Sequence, residues 1–333
     1  MGLLQEWLSS LEKKRRQLRL DRAAARARER RLHDAIEHVV DEINPGLRAL
    51  GSYRKKLRPC VEHTLDYCAS LVSDLPISVE VSSRNWGREP AVKAFFSTAS
   101  EVQQVFSRSR EIRDFFDHHL EAEYCHALLS MERRERTTLG MEMHGDMIRR
   151  DVRQTTVSFT DHRVLTPSAD EQELKEKLRK RAFESLVAYT LERISELVAA
   201  RHLAEEQRQL LNMRRKIDRL KGNSFEPLLR TTESTEEQAP GPVLYAQQGA
   251  ALSTLNDYID RIADVLCRPE DWLRVYRVPL HLDKMNIKLD AASDTEGYTL
   301  QLTEATLGEQ LKRTLFIARF PRDELLPEQD FLA

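Results

Sequence analysis

EQELKEKLRKRAFESLVAYTLERISELVAARHLAEEQRQLLNMRRKIDRLKG, residues 171–222, is the stretch that decides the predicted fold. Its apolar residues return every three or four positions from Leu174 to Leu220, as they do along one face of a helix. No proline or glycine interrupts it before Gly222. Ser168 with Glu171 matches a capping box, in which side chains satisfy the free backbone donors of the first turn. We therefore predict one helix of about 50 residues, roughly 75 Å long, and a candidate coiled coil over 169–222.

The N-terminal region carries a second long helical pattern, with apolar residues at seven-residue spacing. A coiled coil needs a second apolar position, four residues after the first, in each seven-residue repeat. Here that second position is charged between about residues 15 and 29, so the apolar contact surface is interrupted there. Asn44, Pro45 and Gly46 form a stop signal, and a second helix follows toward Asp74. Because a short turn favours antiparallel packing, we predict a basic helical hairpin over 1–76. The seven-residue column is Leu4, Leu11, Leu18, Ala25, Leu32 and Val39.

Residues 77–168 mix helix and strand patterns. Thr98 with Glu101 fits another capping box and opens a helix, which we expect to continue, with a break, to about Glu132. Between Thr137 and Thr166 the apolar period changes, and the pattern predicts short antiparallel β-segments.

The C-terminal part begins after a change of composition. The run RTTESTEEQAPGP, residues 230–242, is small, acidic and contains Pro and Gly, as linkers do, so we place a linker at 223–250. One amphipathic helix and several alternating apolar runs then predict a C-terminal helix plus β-meander module over 251–333.

The fold class expected from these patterns is mainly α with a minor β component (α+β). Long coiled-coil-like helices are expected to form a bundle or stalk, with short antiparallel β-segments in the middle and a β-meander at the C-terminus. The pattern leaves open whether the two β regions join one sheet.

Composition bounds the class of protein. The chain has 333 residues and a net charge of −2, so no overall field draws it onto nucleic acid or anionic lipid. No run reaches the roughly 18 apolar residues that span a bilayer. The four cysteines have no close metal-type pairs, which favours free thiols in a reducing compartment. We therefore predict a cytoplasmic location, with a position peripheral to the membrane as the variant.

A candidate metal site lies in the middle region. His119, Glu123 and His126 are spaced i, i+4 and i+7 and so share one face of the predicted helix. Imidazole and carboxylate groups bind transition metals, although helical carboxylate sites need a second Glu-x-x-His unit. The same three residues also fit an ordinary solvated face of the helix, with no metal bound. We therefore predict no cofactor, and a transition metal bound at these residues is the alternative prediction.

A candidate anion site lies near the N-terminus. Between Glu12 and Arg31 there are ten Lys or Arg residues against three acids. Such a run binds phosphates of nucleic acid, or lies on an anionic membrane beside the preceding apolar residues, or forms the charged outside of a packed helix. The anion-binding candidates are Lys13, Lys14, Arg15, Arg16, Arg19, Arg22 and Arg26.

Three functional classes remain open at this point. The leading hypothesis is a non-enzymatic intracellular scaffold or regulatory interaction protein, which self-associates through its long helices and binds a protein partner. The second is a peripheral binder of anionic membrane or nucleic acid through the basic helix. The third is a metal-dependent enzyme with the His/Glu/His site. There is no P-loop, dinucleotide fingerprint or Cys-x-x-Cys pair in the sequence to favour nucleotide or zinc-ribbon chemistry.

Overall fold

The structure is a computed structural model that describes residues 2–144, 147–222, 254–289, 297–309 and 311–327. Within these ranges the side chains of 2–15, 18, 20, 142–144, 147–149 and 218–222 are outside the description. Contacts divide the chain into two compact units. Unit 1 comprises Met1–His63 and Val187–Arg268, and unit 2 comprises Thr64–Leu186 and Pro269–Ala333.

The described residues form helices and strands of very different lengths. The helices are α1 (Gly2–Ile43), α2 (Tyr53–Ser73), α3 (Pro90–Phe95), α4 (Ala99–Arg108), α5 (Arg110–His118), α6 (Glu171–Gly222), α7 (Leu255–Leu266) and α8 (Pro269–Trp272). The strands are β1 (Val79–Glu80), β2 (Tyr124–His144), β3 (Met147–Ser168), β4 (Leu273–Leu282), β5 (Tyr298–Leu307) and β6 (Leu311–Pro321). Short 3-10 turns occupy Pro45–Ala49 and Arg322–Glu324.

Within unit 1, α1 and the first part of α2 lie on either side of the turn that begins at Asn44. α1 ends at Ile43, and the side chain of Asn44 accepts a hydrogen bond of 2.9 Å from the backbone N–H of Gly46. Arg58 of α2 then forms a two-pronged ion pair with Glu29 of α1, with both N–O distances 2.7 Å. Because Glu29 precedes the turn by about as many residues as Arg58 follows it, the two helices run antiparallel.

A disulfide joins Cys60 of α2 to Cys267, which directly follows α7, across a sequence separation of 207 residues. The expectation of free thiols is therefore wrong for this pair, because residues distant in sequence meet when α7 packs beside α2. Cys68 and Cys125 are free and buried. Burial raises the pKa of each of these thiols to about 12, so both are protonated at neutral pH.

Glu37 is the centre of a polar network that fastens α1 to the start of α2. Its carboxylate accepts from the Tyr53 hydroxyl at 2.8 Å and lies 3.0 Å from Arg48 and 2.9 Å from Arg54. The Tyr53 hydrogen bond, followed by the two guanidinium groups, lowers the pKa of Glu37 from 4.5 to about 2 against the opposing effect of burial. The carboxylate is therefore ionised over most of the acid range.

Unit 2 is built on a six-stranded sheet in the order β3-β2-β6-β5-β4, with β1 beside β6. The neighbours on the main path are antiparallel, and β1 is parallel to β6. β4, β5 and β6 are consecutive antiparallel neighbours at the C-terminal end of this order. Since β6 pairs with β2, the middle and C-terminal β regions form one sheet, a question that the sequence left open.

The segment Asn286–Leu289 connects the two edges of this sheet. On one side, the Val157 N–H donates to the Asn286 carbonyl at 2.9 Å, and the Lys288 N–H donates to β3 at 2.8 Å. On the other side, the Leu289 N–H donates to the His281 carbonyl of β4 at 3.0 Å. The sheet therefore closes on itself and encloses an interior.

Both faces of the sheet are covered within unit 2. The inner face packs Cys125, Ala127, Leu129 and Met131 of β2 against the phenylalanines of α3–α5. The outer face packs against the end of α2 and the start of α6, through Val72, Leu75, Leu128, Leu174, Leu178 and Ile317. Alternate residues of one short segment of β2 thus enter two different cores.

The prediction of a mainly α fold with a minor β component, organised as a helical bundle or stalk, is wrong. The closed sheet is a major core of the chain, and α6 is one helix among several. The error begins at residue 119, because helix was expected to about Glu132 whereas α5 ends at His118 and β2 begins at Tyr124. Two-sided burial makes every residue from Cys125 to Met131 apolar or small apart from His126, which removes the alternation that marks a strand.

β3 contains a β-bulge at Asp161. The β2–β3 register shifts between Ser130 and Glu132, and Asp161 has a left-handed φ of 50°. Similar shifts place Asp151 (φ 64°) and Thr166 (φ 59°) at bulges. A β-branched residue is strained in this region, and Thr166 is held there by a 2.8 Å hydrogen bond from its N–H to Glu111.

The cap of α6 also differs from the prediction. Asp170 rather than Ser168 accepts from the N–H of Glu173, at 2.7 Å, and Glu173 accepts in return from the Ala169 N–H. The cap predicted at Thr98 is confirmed, since its hydroxyl accepts from the Glu101 N–H at 3.1 Å. The predicted linker at 223–250 lies outside the described residues.

The disulfide gives a first prediction. We expect digestion without reductant to yield a Cys60–Cys267 linked peptide, while Cys68 and Cys125 serve as internal controls that react with alkylating reagent once the chain is unfolded. Because the cross-link closes a very long loop of the unfolded chain, reduction should lower the free energy of unfolding by about 2–4 kcal/mol. The measurement is a urea melt with and without reductant. Full alkylation of Cys60 and Cys267 without prior reduction would contradict the pairing.

Glu37 gives a second prediction. Its folded-state pKa is depressed, so its contribution is fully present above the unfolded pKa and is lost as pH falls toward 2. Glu37→Gln should cost about 1 kcal/mol at pH 7, because solvent screens the half-exposed arginines. The difference from wild type should shrink between about pH 4.3 and pH 2 in urea melts. The exposed Glu42→Gln is the control, and an equal pH-dependent loss there would remove the special role of Glu37.

Candidate functional site

The distal half of α6 carries an exposed row of large apolar side chains in unit 1. Leu203, Leu210, Met213 and Ile217 are 58%, 63%, 64% and 48% exposed, respectively. On a helix these positions fall within about 80° of one another. We call these four residues the apolar stripe.

The apolar stripe does not continue the buried face of the same helix. Val187, Thr190 and Ile194 are buried in unit 1. At 100° per residue, these three positions lie about half a turn around the helix from Leu203 and Leu210. α6 therefore carries two apolar surfaces, one covered by its own chain and one exposed to solvent.

Charges flank the apolar stripe asymmetrically. Glu205 and Glu206 precede its centre, whereas Arg214, Arg215 and Lys216 follow it. All five side chains are exposed. Arg201 already pairs with Glu205 at 2.7 Å, and Arg208 is exposed between Glu206 and Leu210. The complementary charges on opposite sides of Leu210 are therefore Glu206 and the basic residues 214–216.

The basic run lies on the exposed part of α1 in unit 1. Among the anion-binding candidates, Arg16, Arg19, Arg22 and Arg26 are exposed, while Lys13, Lys14 and Arg15 lie outside the residues with described side chains. Two charged residues of this run are already engaged, since Arg28 pairs with Glu62 and Glu29 with Arg58. The structure therefore separates the run into a packed side and a solvent side.

The three metal candidates do not share a helix. His119 caps the end of α5, Glu123 lies in the following loop and His126 lies in β2. His119 is held by its own chain, since its Nδ1 lies 2.9 Å from the Phe115 carbonyl and its ring stacks on that of Phe115. All three nonetheless line one cavity of about 810 Å³. In the part of the chain that the structure describes, there is no group of three or more His, Cys, Asp or Glu side chains placed to hold a metal ion.

A charged cluster inside the closed sheet was missed by the sequence reasoning. The carboxylate of Glu304 on β5, only 1% exposed, lies 3.0 Å from the Arg133 guanidinium and 2.9 Å from the Lys312 ammonium. Arg133 also contacts Glu135 at 3.2 Å. The Glu304 carboxylate raises the pKa of Lys312. One feature of the sequence could have indicated that Glu304 is buried. Residues two apart on a strand lie on the same face, and Glu304 follows Leu300 and Leu302 on the inner face.

A second cavity, of about 1090 Å³, opens beside this cluster. Pairing between β2 and β6 ends at Met131 and Thr314, and beyond that point the two strands separate. Arg313 spans the gap by donating to the Ser130 hydroxyl at 3.0 Å and to Asp161 at 2.6 Å. This cavity is lined by charged residues of the cluster and by apolar residues of the outer face, including Leu71, Leu128 and Leu178. Arg313 and Glu304 are thus already occupied by partners of their own chain.

The buried cluster gives a third prediction. Glu304→Ala leaves the largely buried Arg133 guanidinium without its carboxylate, whereas the half-exposed Lys312 ammonium keeps its contact with water. The free energy of unfolding should therefore fall by about 3 kcal/mol. Urea melts at pH 7 measure the loss, and Glu309→Ala on the exposed end of the same hairpin is the matched control. A loss below about 1 kcal/mol would show that the cluster is hydrated rather than buried.

Comparison with known proteins adds no assignment to this geometry. Within the described residues, no helix combines the length and the apolar character required to span a membrane. The chain matches no protein-family model, no curated protein and no solved structure.

Proposed function

We propose that the chain is a self-associating interaction protein, in which the apolar stripe of α6 pairs with the same stripe of a second copy. The observation that carries the proposal is the exposure of Leu203, Leu210, Met213 and Ile217 in one row. A row of exposed large apolar side chains on a helix is typical of an association surface. α6 is already ordered by its packed half, so pairing needs no new helix and avoids the cost of ordering one.

The charges favour an antiparallel pair. With Leu210 on the two-fold axis, residue i of one copy faces residue 420 − i of the other. Leu203 then faces Ile217, and Glu206 faces Arg214. The surface is complementary to itself under this rotation, as a two-fold interface requires. In a parallel pair, by contrast, the basic ends would lie side by side and repel.

The fourth prediction concerns the oligomeric state of the intact protein. We expect wild type to sediment as a monomer–dimer equilibrium at about 1–100 μM, the range in which short helical interfaces associate. Leu210→Glu places two carboxylates at the two-fold axis and should give a monomer throughout. Asn212→Glu, nearly opposite on the helix and also exposed, introduces the same side chain and should leave the equilibrium unchanged.

A charge-swap cycle tests the direction of the pair. Glu206→Arg and Arg214→Glu should each weaken association about two- to fivefold, because each places like charges opposite one another. The double variant should restore wild-type association. A wild-type monomer at every concentration, or equal dissociation by Asn212→Glu, would overturn self-association through this stripe. Failure of the double variant to recover would overturn the antiparallel arrangement.

A further inference from the structure

Four exposed arginines form a straight row on α1. Arg19, Arg22, Arg26 and Arg30 are spaced at i, i+3, i+7 and i+11, which places them within about 80° on the helix and along roughly 16 Å of its axis. We call them the arginine stripe. Within the described part of the chain, none of the four has a carboxylate partner.

The arginine stripe is set apart from the packing of unit 1. The buried residues Leu32, Ile36 and Val39 of α1 face about a third of a turn away. Two of the nearby carboxylates are engaged, since Glu29 binds Arg58 and Asp21 accepts from Gln17 at 3.0 Å, while Asp34, one turn after Arg30, is exposed. Among the residues that the structure describes, the stripe therefore presents four exposed cationic groups.

The neighbours of the stripe are small. Ala23 and Ala27 flank it on the exposed surface, so the helix is narrow on this side and the guanidinium groups project beyond it. A membrane-bound helix needs bulky apolar side chains beside its basic residues, and Ala23 and Ala27, the neighbours of the stripe whose side chains are described, do not supply them. A narrow basic helix is instead the shape that enters a groove walled by phosphates.

We propose that the arginine stripe docks α1 on duplex DNA, with the helix at the major groove and the guanidinium groups on the phosphates of one of its walls. The major groove, about 12 Å wide, admits one α-helix. Along roughly 16 Å of axis the duplex carries about ten phosphates, more than enough for four contacts. The contacts are to the backbone, so the binding is sequence-tolerant. The net charge of −2 gives no overall attraction, so affinity depends on this local stripe and falls steeply with salt.

The test is fluorescence anisotropy of a labelled random-sequence 24-bp DNA duplex with the intact protein. Four phosphate contacts predict a slope of about −3.6 in log affinity against log salt. Arg19→Gln/Arg22→Gln/Arg26→Gln should weaken binding at least about tenfold near 100 mM salt and reduce the slope by about 2.7. The same three positions changed to Lys keep the charge and should stay within a few-fold of wild type.

A matched control separates the stripe from general charge. Arg136→Gln/Arg150→Gln/Arg153→Gln removes the same charge from exposed positions of the β2–β3 hairpin and should leave binding unchanged. Circular dichroism should be equal for all variants, because Gln is a good helix former. Absence of duplex binding at about 50 mM salt, or an equal loss in the control, would overturn the proposal. Binding to vesicles with 30% phosphatidylserine without binding to the duplex would also overturn it and assign the stripe to anionic lipid.

Discussion

Burial of β2 on both faces is the constraint on which unit 2 depends. Cys125, Ala127, Leu129 and Met131 enter the core with α3–α5, while Leu128 between them enters the core with α2 and α6. A strand in this position needs hydrogen-bonded neighbours on both edges and apolar layers on both faces. β3 and β6 supply the edges, and the helices supply the layers. The C-terminal meander is therefore part of the central sheet rather than a separate appendage.

Two of the helical boundaries were predictable because their causes are local. The Asn44-Pro45-Gly46 stop and the Thr98 cap each depend on side chains within a few residues of the backbone groups that they satisfy. The β2 segment was not predictable in the same way. Its apolar run fits a buried strand and a helix equally well, and only the pairing with β6, about 190 positions later, decides between them. Bulges add to the difficulty, since the extra residue at Asp161 resets which side chains face inward.

The candidate functional residues also differ in whether they could be predicted from nearby sequence. The basic run on α1 was visible in the sequence, and the structure shows which of its arginines lie away from the face of α1 that packs within unit 1. The metal site was inferred from helical spacing, and the spacing lost its meaning when the helix ended at His118. The Glu304 cluster was invisible because Arg133 and Lys312 are far apart in sequence. The two exposed stripes, one apolar and one basic, both lie on helices of unit 1.

The bond between Cys60 and Cys267 also changes the connectivity of the polypeptide. It turns the intervening segment, which contains β2, β3 and all of α6, into a covalent ring with the two chain ends attached as tails. A single cut of the backbone anywhere between these cysteines opens the ring but does not divide the molecule. A protease that attacks this segment would therefore leave a chain of unchanged mass apart from one added water, and its fragments would separate only in the presence of a thiol.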